Sequence, residues 1–340
     1  MESRSRFVMG VSKVKILIYH PVPLPVSHYG GTERVVMWLA RNLAKRGHAV
    51  TLFAAPGSSL PEPLRCWTDP EQLLSRVNEF DVVHSFTKLP EAWDERTRGR
   101  ILFTIQGNGQ RGERFHRNTV FVSRNHAERH GATAFVYNGL DPEELRFDAG
   151  PRPNRYLFLS KTSLKTKNLR GAARVCARMH QNLWIAGGER PYGIRVQAAV
   201  RRCLGQDWKW VGSVDQEQKA RFLLQGKAMV FPLLWNEPFG LVVTESLVSG
   251  TPVLAHPHGS LSELLEFAPQ CLMRSEQDWE RALSGDFSLP SPKDCRDWVL
   301  SRFEHQRMTQ EYLGIYERVI SGEKLNAEEP VTRTLAEEIG

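Results

Sequence analysis

No apolar run in this 340-residue chain approaches the ~20 residues that cross a bilayer, so no membrane-spanning helix is expected. Cysteine is scarce: Cys66, Cys176, Cys203, Cys271 and Cys295 are scattered, odd in number and without C-x-x-C spacing. That argues against a disulfide framework or a structural zinc site and for small core residues in a reducing compartment. His84, His116, His126, His130, His256 and His258 show no H-E-x-x-H or other paired spacing, so no bound metal is expected. A G-x-S-x-G elbow, a P-loop and a G-x-G-x-x-G fingerprint are also missing. Their absence removes the usual sequence signs of a serine hydrolase, a nucleoside triphosphatase and a dinucleotide enzyme. The basic residues are dispersed and no nucleic-acid-binding motif accompanies them.

What is present is globular: 41% hydrophobic and 24% charged residues, in a chain long enough for two domains. Forty-five basic against 38 acidic side chains leave a net charge of +7, which favours an anionic partner. A phosphorylated substrate or a membrane surface would serve, and a solvated surface accounts for most of the charge equally well. Met1–Met9 is followed by a strand pattern, with no apolar core or cleavage site, and reads as a short disordered leader. A cytoplasmic protein is expected, with a peripheral contact at the inner membrane face as an addition.

Apolar runs alternate with amphipathic stretches along the chain. VKILIY (Val14–Tyr19) is a buried-strand run, Thr32–Arg46 is helical with Gly47 closing it, and AVTLFA (Ala49–Ala54) is the next strand. This order predicts a right-handed βαβ unit. Further strands are predicted at Val82–His84, Ile101–Ile105, Thr119–Val122 and Ala134–Val136. FDAGPRPNR (Phe147–Arg155) then reads as a linker. A second series follows, with strands at Tyr156–Leu159, Leu183–Ala186, Trp208–Val211, Ala228–Phe231 and Pro252–Ala255. Asp297–Ile320 reads as one long helix or two joined ones, and Ser321–Gly340 as disordered or a short helix. The pattern predicts two Rossmann-like, doubly wound α/β domains, 13–150 and 151–305, facing across a cleft, with 306–340 as a terminal helix and tail.

The most informative segment is FPLLWNEPFGLVVTE (Phe231–Glu245). A strand ends, a loop carries Asn236 and Glu237, and Pro238-Phe239-Gly240 opens a helix whose free amides can hold an anion. Glu245, eight residues after Glu237, falls deeper on that helix. Phosphates held by the amides would place sugar and ribose hydroxyls beside the two carboxylates. A capped surface helix with two incidental acids explains the same letters almost as well. In the loop His20–Glu33, the Gly30-Gly31 pair permits close backbone approach to a ligand, although glycines punctuate many strand-to-helix turns. Lys161, Lys165 and Lys167 follow a strand end, where they can hold a diphosphate leaving group or simply decorate a solvated loop.

At this point the chain resembles the glycosyltransferases of family 4, which have the two-domain GT-B fold. The resemblance runs from Lys13 to Ile320 and rests on YGGTERVVMWLARNLAKRGHAVTLFA, DVVHS, TVFVSRNHAERHGATAFVYNGLDPEEL, LWIAGG, WVGSV and NEPFGLVVTESLVSGTPVLA. It implies metal-independent, retaining transfer of a hexose from a UDP- or GDP-linked sugar to a carbohydrate or lipid-linked acceptor in cell-surface glycan assembly, without a cofactor. Carried over residue by residue, Glu237 would face the donor sugar and Glu245 the ribose. Pro238, Phe239, Gly240 and Leu241 would lie against sugar or phosphates, and Gly30 and Gly31 would admit the diphosphate. Gly212, Ser213 and Val214 would lie by the base, with Lys161 and Lys167, or Lys165, at the leaving group.

Two positions depart from the family pattern. Lys161 stands where an arginine is common, so a planar fork becomes a point charge. Gln106 stands where a histidine is common, and it cannot become a cation near neutral pH. His84, Gln106 and Asn138 are therefore the candidates for sugar or acceptor contacts. A nucleotide-sugar epimerase or hydrolase on the same fold, or a non-catalytic nucleotide-sugar-binding protein, are the alternatives.

Overall fold

The computed structural model describes residues 13–26, 30–89, 92–188, 192–285 and 287–333. The leader expected at Met1–Met9, positions 27–29 of the His20–Glu33 loop and the tail beyond 333 lie outside the described residues.

The first half runs β1 (Lys15–Tyr19), α1 (Gly31–Lys45), β2 (Ala49–Phe53), β3 (Arg65–Trp67), α2 (Pro70–Arg76), β4 (Val82–Ser85), α3 (Ala92–Arg96), β5 (Ile101–Ile105), β6 (Thr119–Phe121) and α4 (Arg124–Arg129). The second continues β7 (Tyr156–Leu159), α5 (Leu169–Arg178), β8 (Leu183–Ala186), α6 (Tyr192–Cys203), β9 (Trp208–Gly212), α7 (Gln216–Phe222), β10 (Ala228–Phe231), α8 (Leu241–Val248), β11 (Val253–Ala255), α9 (Leu261–Leu264) and α10 (Glu276–Leu283). Then come α11 (Pro292–Arg302) and α12 (His305–Ile320).

The strands form two parallel sheets, ordered β3-β2-β1-β4-β5-β6 and β11-β10-β7-β8-β9. Helices cover both faces, which is why the central strands read as unbroken apolar runs: Ile16, Leu17 and Ile18, or Met229, Val230 and Phe231, are all fully buried. The order reverses at β1 in one sheet and at β7 in the other, and loops beyond strand ends at such points form the crevice where ligands bind. The fold is the expected two-domain α/β arrangement.

Three local expectations need correcting. β3 was not anticipated, because a three-residue edge strand carries too short a pattern. Ala134–Val136 is not a strand: Phe135 makes a single bridge to Phe121. Of the two readings of Asp297–Ile320, the structure has the joined pair: α11 starts at Pro292, and the chain breaks at Phe303–Glu304, where Glu304 bridges to Leu140. The tail is neither helical nor loose through residue 333. It lies along the first domain, where Asn326 donates to the Arg117 and Thr119 carbonyls and accepts from the Thr133 and Ala134 amides.

α12 packs back on the first domain. Tyr312 and Tyr316 are buried there, and one apolar cluster runs from Ile16, Leu39 and Val82 through Tyr312 and Phe303 to Phe231, Val243 and Val253. Both sheets thus share a continuous core.

Candidate active site

The two sheets face each other across a cleft of about 360 Å³. From the first domain it is lined by Gly30, Gly31, Thr32, Arg34, Gln106 and Asn138. From the second come Leu159, Ser160, Lys161, Lys167, Val214, Lys219, Glu237, Pro238, Phe239, Gly240, Leu241, Val242 and Glu245.

Two helix N-termini meet in this cleft. Gly30 precedes α1 and Gly240 precedes α8, and neither helix is capped by a side chain. By contrast α2, α4, α5, α7, α10 and α11 are closed by Asp69, Ser123, Asn168, Asp215, Ser275 and Ser291. An uncapped first turn points amides and the positive end of the helix dipole outward, which favours an anion. Gly240 has φ +95°, a left-handed conformation that a β-carbon would strain, and a β-carbon on Gly31 would lie 3.2 Å from Leu241 Cδ1. The two termini are therefore close neighbours.

Each carboxylate of the E-x7-E segment holds a cation. Lys167 Nζ donates to Glu237 Oε2 at 2.6 Å, and Trp235 Nε1 donates to the same oxygen at 2.7 Å. Lys219 Nζ donates to Glu245 Oε1, while Arg34 Nη1 lies 3.8 Å from that oxygen. The Glu245 and Lys219 side chains are only 6% and 8% exposed. Burial pulls the Lys219 ammonium below its usual range, although Glu245 pulls the other way.

The loop carrying Glu237 is fixed from both domains. Gly259 packs so close that a β-carbon would fall 2.3 Å from the Glu237 carbonyl oxygen. Asn108 Nδ2 donates to the Asn236 carbonyl at 2.8 Å and Ser123 Oγ to the Pro238 carbonyl at 2.7 Å, both across the domain boundary. Nearby, Glu263 reaches over to accept from the Arg124 and Asn125 amides at the start of α4 and from Tyr137 Oη at 2.6 Å.

The structure brings together Gly30, Gly31, Gln106, Asn138, Lys161, Lys167, Val214, Glu237, Pro238, Phe239, Gly240, Leu241 and Glu245. It leaves out four others. Lys165 is exposed and does not line the cleft, because the single turn Lys165–Lys167 points Lys167 inward and Lys165 outward. Gly212 and Ser213 also fall outside the lining; the Gly212 carbonyl instead accepts from the Gly187 amide at 2.8 Å. His84 is enclosed beneath α12, with Nδ1 2.9 Å from Tyr316 Oη and Nε2 2.7 Å from Thr104 Oγ1, so no ligand reaches it. Gln106 and Asn138 do face the cleft, joined amide to amide at 2.9 and 2.7 Å. Arg34 and Lys219 carry no signal in the sequence, since no spacing ties either one to Glu245.

Burial depresses His84 from its usual 6.5 to about 3. The unfolded chain takes up that proton well before the folded one does, so stability present above pH 6.5 is lost as the pH falls towards 3. This group alone should cost about 2 kcal/mol at pH 5. Melting temperature plotted against pH between 7 and 5 should be shallower for His84→Gln than for the parent; equal slopes would contradict the assignment.

With this geometry in view, the comparison with known proteins is specific. Residues 141–280 match the family model described as glycosyl transferases group 1. The match covers most of the second domain, up to α10, and includes every lining residue that domain contributes. AviGT4, a glycosyltransferase involved in avilamycin A biosynthesis, superposes with TM-score 0.71 at 21% identity, covering 91% of this chain and 98% of that one. Sucrose-phosphate synthase from Thermosynechococcus elongatus gives TM-score 0.67 at 17% identity, over 91% and 100% of the chains. HepE from Anabaena, in complex with UDP, gives 0.68 at 14% identity, over 89% and 99%. At such identities these likenesses establish the GT-B fold. A protein of Klebsiella pneumoniae, described as an uncharacterised 42.6 kDa protein in the cps region, is 31% identical over 96 residues, 28% of this chain. The aligned part spans 24% of that relative's length. Among the described residues no group of three or more His, Cys, Asp or Glu is placed to hold a metal ion, and no helix is long and apolar enough to cross a membrane.

Proposed function

We propose that this protein is a retaining glycosyltransferase that moves a hexose from a UDP- or GDP-linked sugar to a carbohydrate or lipid-linked acceptor, in cell-surface glycan assembly. The observation that carries this reading is the pairing of Glu237 with Lys167 and of Glu245 with Lys219 at the mouth of the uncapped α8, inside the cleft between the domains. The match to group 1 glycosyltransferases supports it, as do solved relatives described with UDP and glucose, or with ADP and acarbose, bound. Nothing in the site favours epimerisation, donor hydrolysis or mere binding over transfer.

In this reading the donor diphosphate lies between the first turns of α8 and α1, with Lys161 and Lys167 beside it. Glu237 accepts a sugar hydroxyl, Glu245 accepts from the ribose, and Val214 lies by the base. The bond from the anomeric carbon to the terminal phosphate oxygen breaks while the acceptor oxygen bonds to that carbon on the same face. The acceptor proton passes to the departing phosphate. Negative charge grows on the diphosphate, where helix amides and lysine ammonium groups are already aimed, so little reorganisation is needed during reaction. No protein carboxylate is assigned as a covalent nucleophile, and no metal takes part. Gln106 and Asn138, locked as a pair, would give the sugar neutral hydrogen-bonding partners.

The direct test is thermal denaturation with a panel of nucleoside diphosphates and their sugars, in the presence of chelator. A ligand at about 100 times its Kd adds about 2.7 kcal/mol to the folded state, so one base and its sugar should raise the melting temperature distinctly. The reading is overturned if no member of the panel binds, or if binding requires a divalent cation.

A further inference from the structure

The outer helices of the second domain carry charge that the proposed reaction does not use. Arg170, Arg174 and Arg178 recur every fourth residue on α5 and so form one row along that helix. With Gln197 and Arg201 of α6 they line a groove of about 560 Å³. Arg178 is tied to Glu276 at 2.8 Å and to Glu280. Arg170 and Arg174 are exposed and have no carboxylate partner among the described residues. The adjacent row of α6 holds Val196 and Val200 and continues into Leu204 just past the helix end; they are 48%, 52% and 67% exposed. Among the described residues no other large hydrophobic side chains are so uncovered.

Arginines beside a row of uncovered aliphatic side chains match a lipid surface: the aliphatics enter the acyl boundary while the guanidinium groups meet anionic headgroups. We propose that the α5–α6 face docks this protein on an anionic bilayer. A second copy of the chain fits poorly, since a two-fold contact would set unpaired arginines against their own equivalents. Nucleic acid would satisfy the arginines and leave the aliphatic row in water. Another basic stretch, Arg41, Lys45 and Arg46 at the C-terminal end of α1, is largely committed elsewhere. Arg46 donates to the Gln310 side chain and the Gln306 carbonyl on α12, and Arg41 lies 3.6 Å from Glu144.

Vesicle flotation tests the proposal, comparing phosphatidylcholine alone with phosphatidylcholine containing phosphatidylglycerol. The full chain should float with the anionic vesicles at low salt and be released at high salt. Arg170→Gln with Arg174→Gln should weaken partitioning roughly fivefold per arginine. Val200→Ser with Leu204→Ser should weaken it too, and Arg41→Gln with Lys45→Gln should leave it unchanged. Far-ultraviolet circular dichroism melts of each variant, matching the parent, would show that the fold is intact. The proposal fails if the α5 and α6 variants float like the parent, or if the chain binds RNA but not anionic vesicles. Because flotation is read without any nucleotide sugar, loss of the donor reading would leave this one standing, and the reverse.

Discussion

Replacing Glu237 by glutamine is expected to lower the rate of sugar transfer by about 10²- to 10³-fold, the usual cost of removing one preorganised group aimed at a developing charge. The substitution keeps the side chain's shape and its contact with Trp235, so the cleft should stay formed. What changes is the partner of Lys167, whose ammonium now donates to Glu237 at 2.6 Å. A neutral amide accepts less strongly from a sugar hydroxyl and holds that cation less firmly, while Lys161 and the first-turn amides of α8 and α1 remain for the diphosphate. The free nucleotide, which does not reach the sugar position, should bind within a few-fold of the parent affinity. The informative measurements are thus initial transfer rates alongside nucleotide Kd. A Glu237→Gln enzyme with undiminished turnover would remove Glu237 from the site. Loss of nucleotide binding in step with turnover would mean that the residue shapes the loop and has no role at the sugar.

Lys219→Met should destabilise the fold by about 3 kcal/mol, because removing one partner of a buried ion pair leaves the other charge uncompensated. The Glu245 carboxylate, 6% exposed, would retain Arg34 at 3.8 Å as its nearest cation among the described residues. The double variant Lys219→Met with Glu245→Leu should recover most of that loss, since an apolar pair of similar volume is tolerated where a lone charge is not. It should not recover donor binding. A hydrogen bond to a charged acceptor contributes about 1.5–3 kcal/mol, so losing Glu245 should raise the donor KM by about tenfold or more. Denaturant melts of the three proteins, with donor KM measured beside them, separate the two roles. If the single variant melts like the parent, the Lys219–Glu245 pair does not support this part of the fold.

Much of this arrangement was legible in the letters. Parallel strands with both faces covered must be apolar throughout, so VKILIY, YLFL and AMVF stand out as strands without any knowledge of their neighbours. The alternation with helical stretches then implies two doubly wound sheets. Within the crevice, the strand-loop-helix passage ending at Glu245 and the glycines before α1 carry local signals of uncapped helix starts.

Other features were settled by contacts between residues distant in sequence. Lys165 and Lys167 are equivalent as letters, and only the turn between them decides which enters the cleft. Arg34 and Lys219 reach Glu245 from 211 and 26 positions away respectively, so no spacing reveals them. His84 looks like a ligand to sugar until α12, more than two hundred residues later, covers it with Tyr316. Gly259 resembles any loop glycine until the Glu237 backbone is laid against it. The sequence by itself determined the order and type of the elements, because hydrophobic period and turn chemistry act over a few residues. Only the tertiary structure decided which charged side chains are buried as pairs and which stay in water, because desolvation depends on everything that packs around a group.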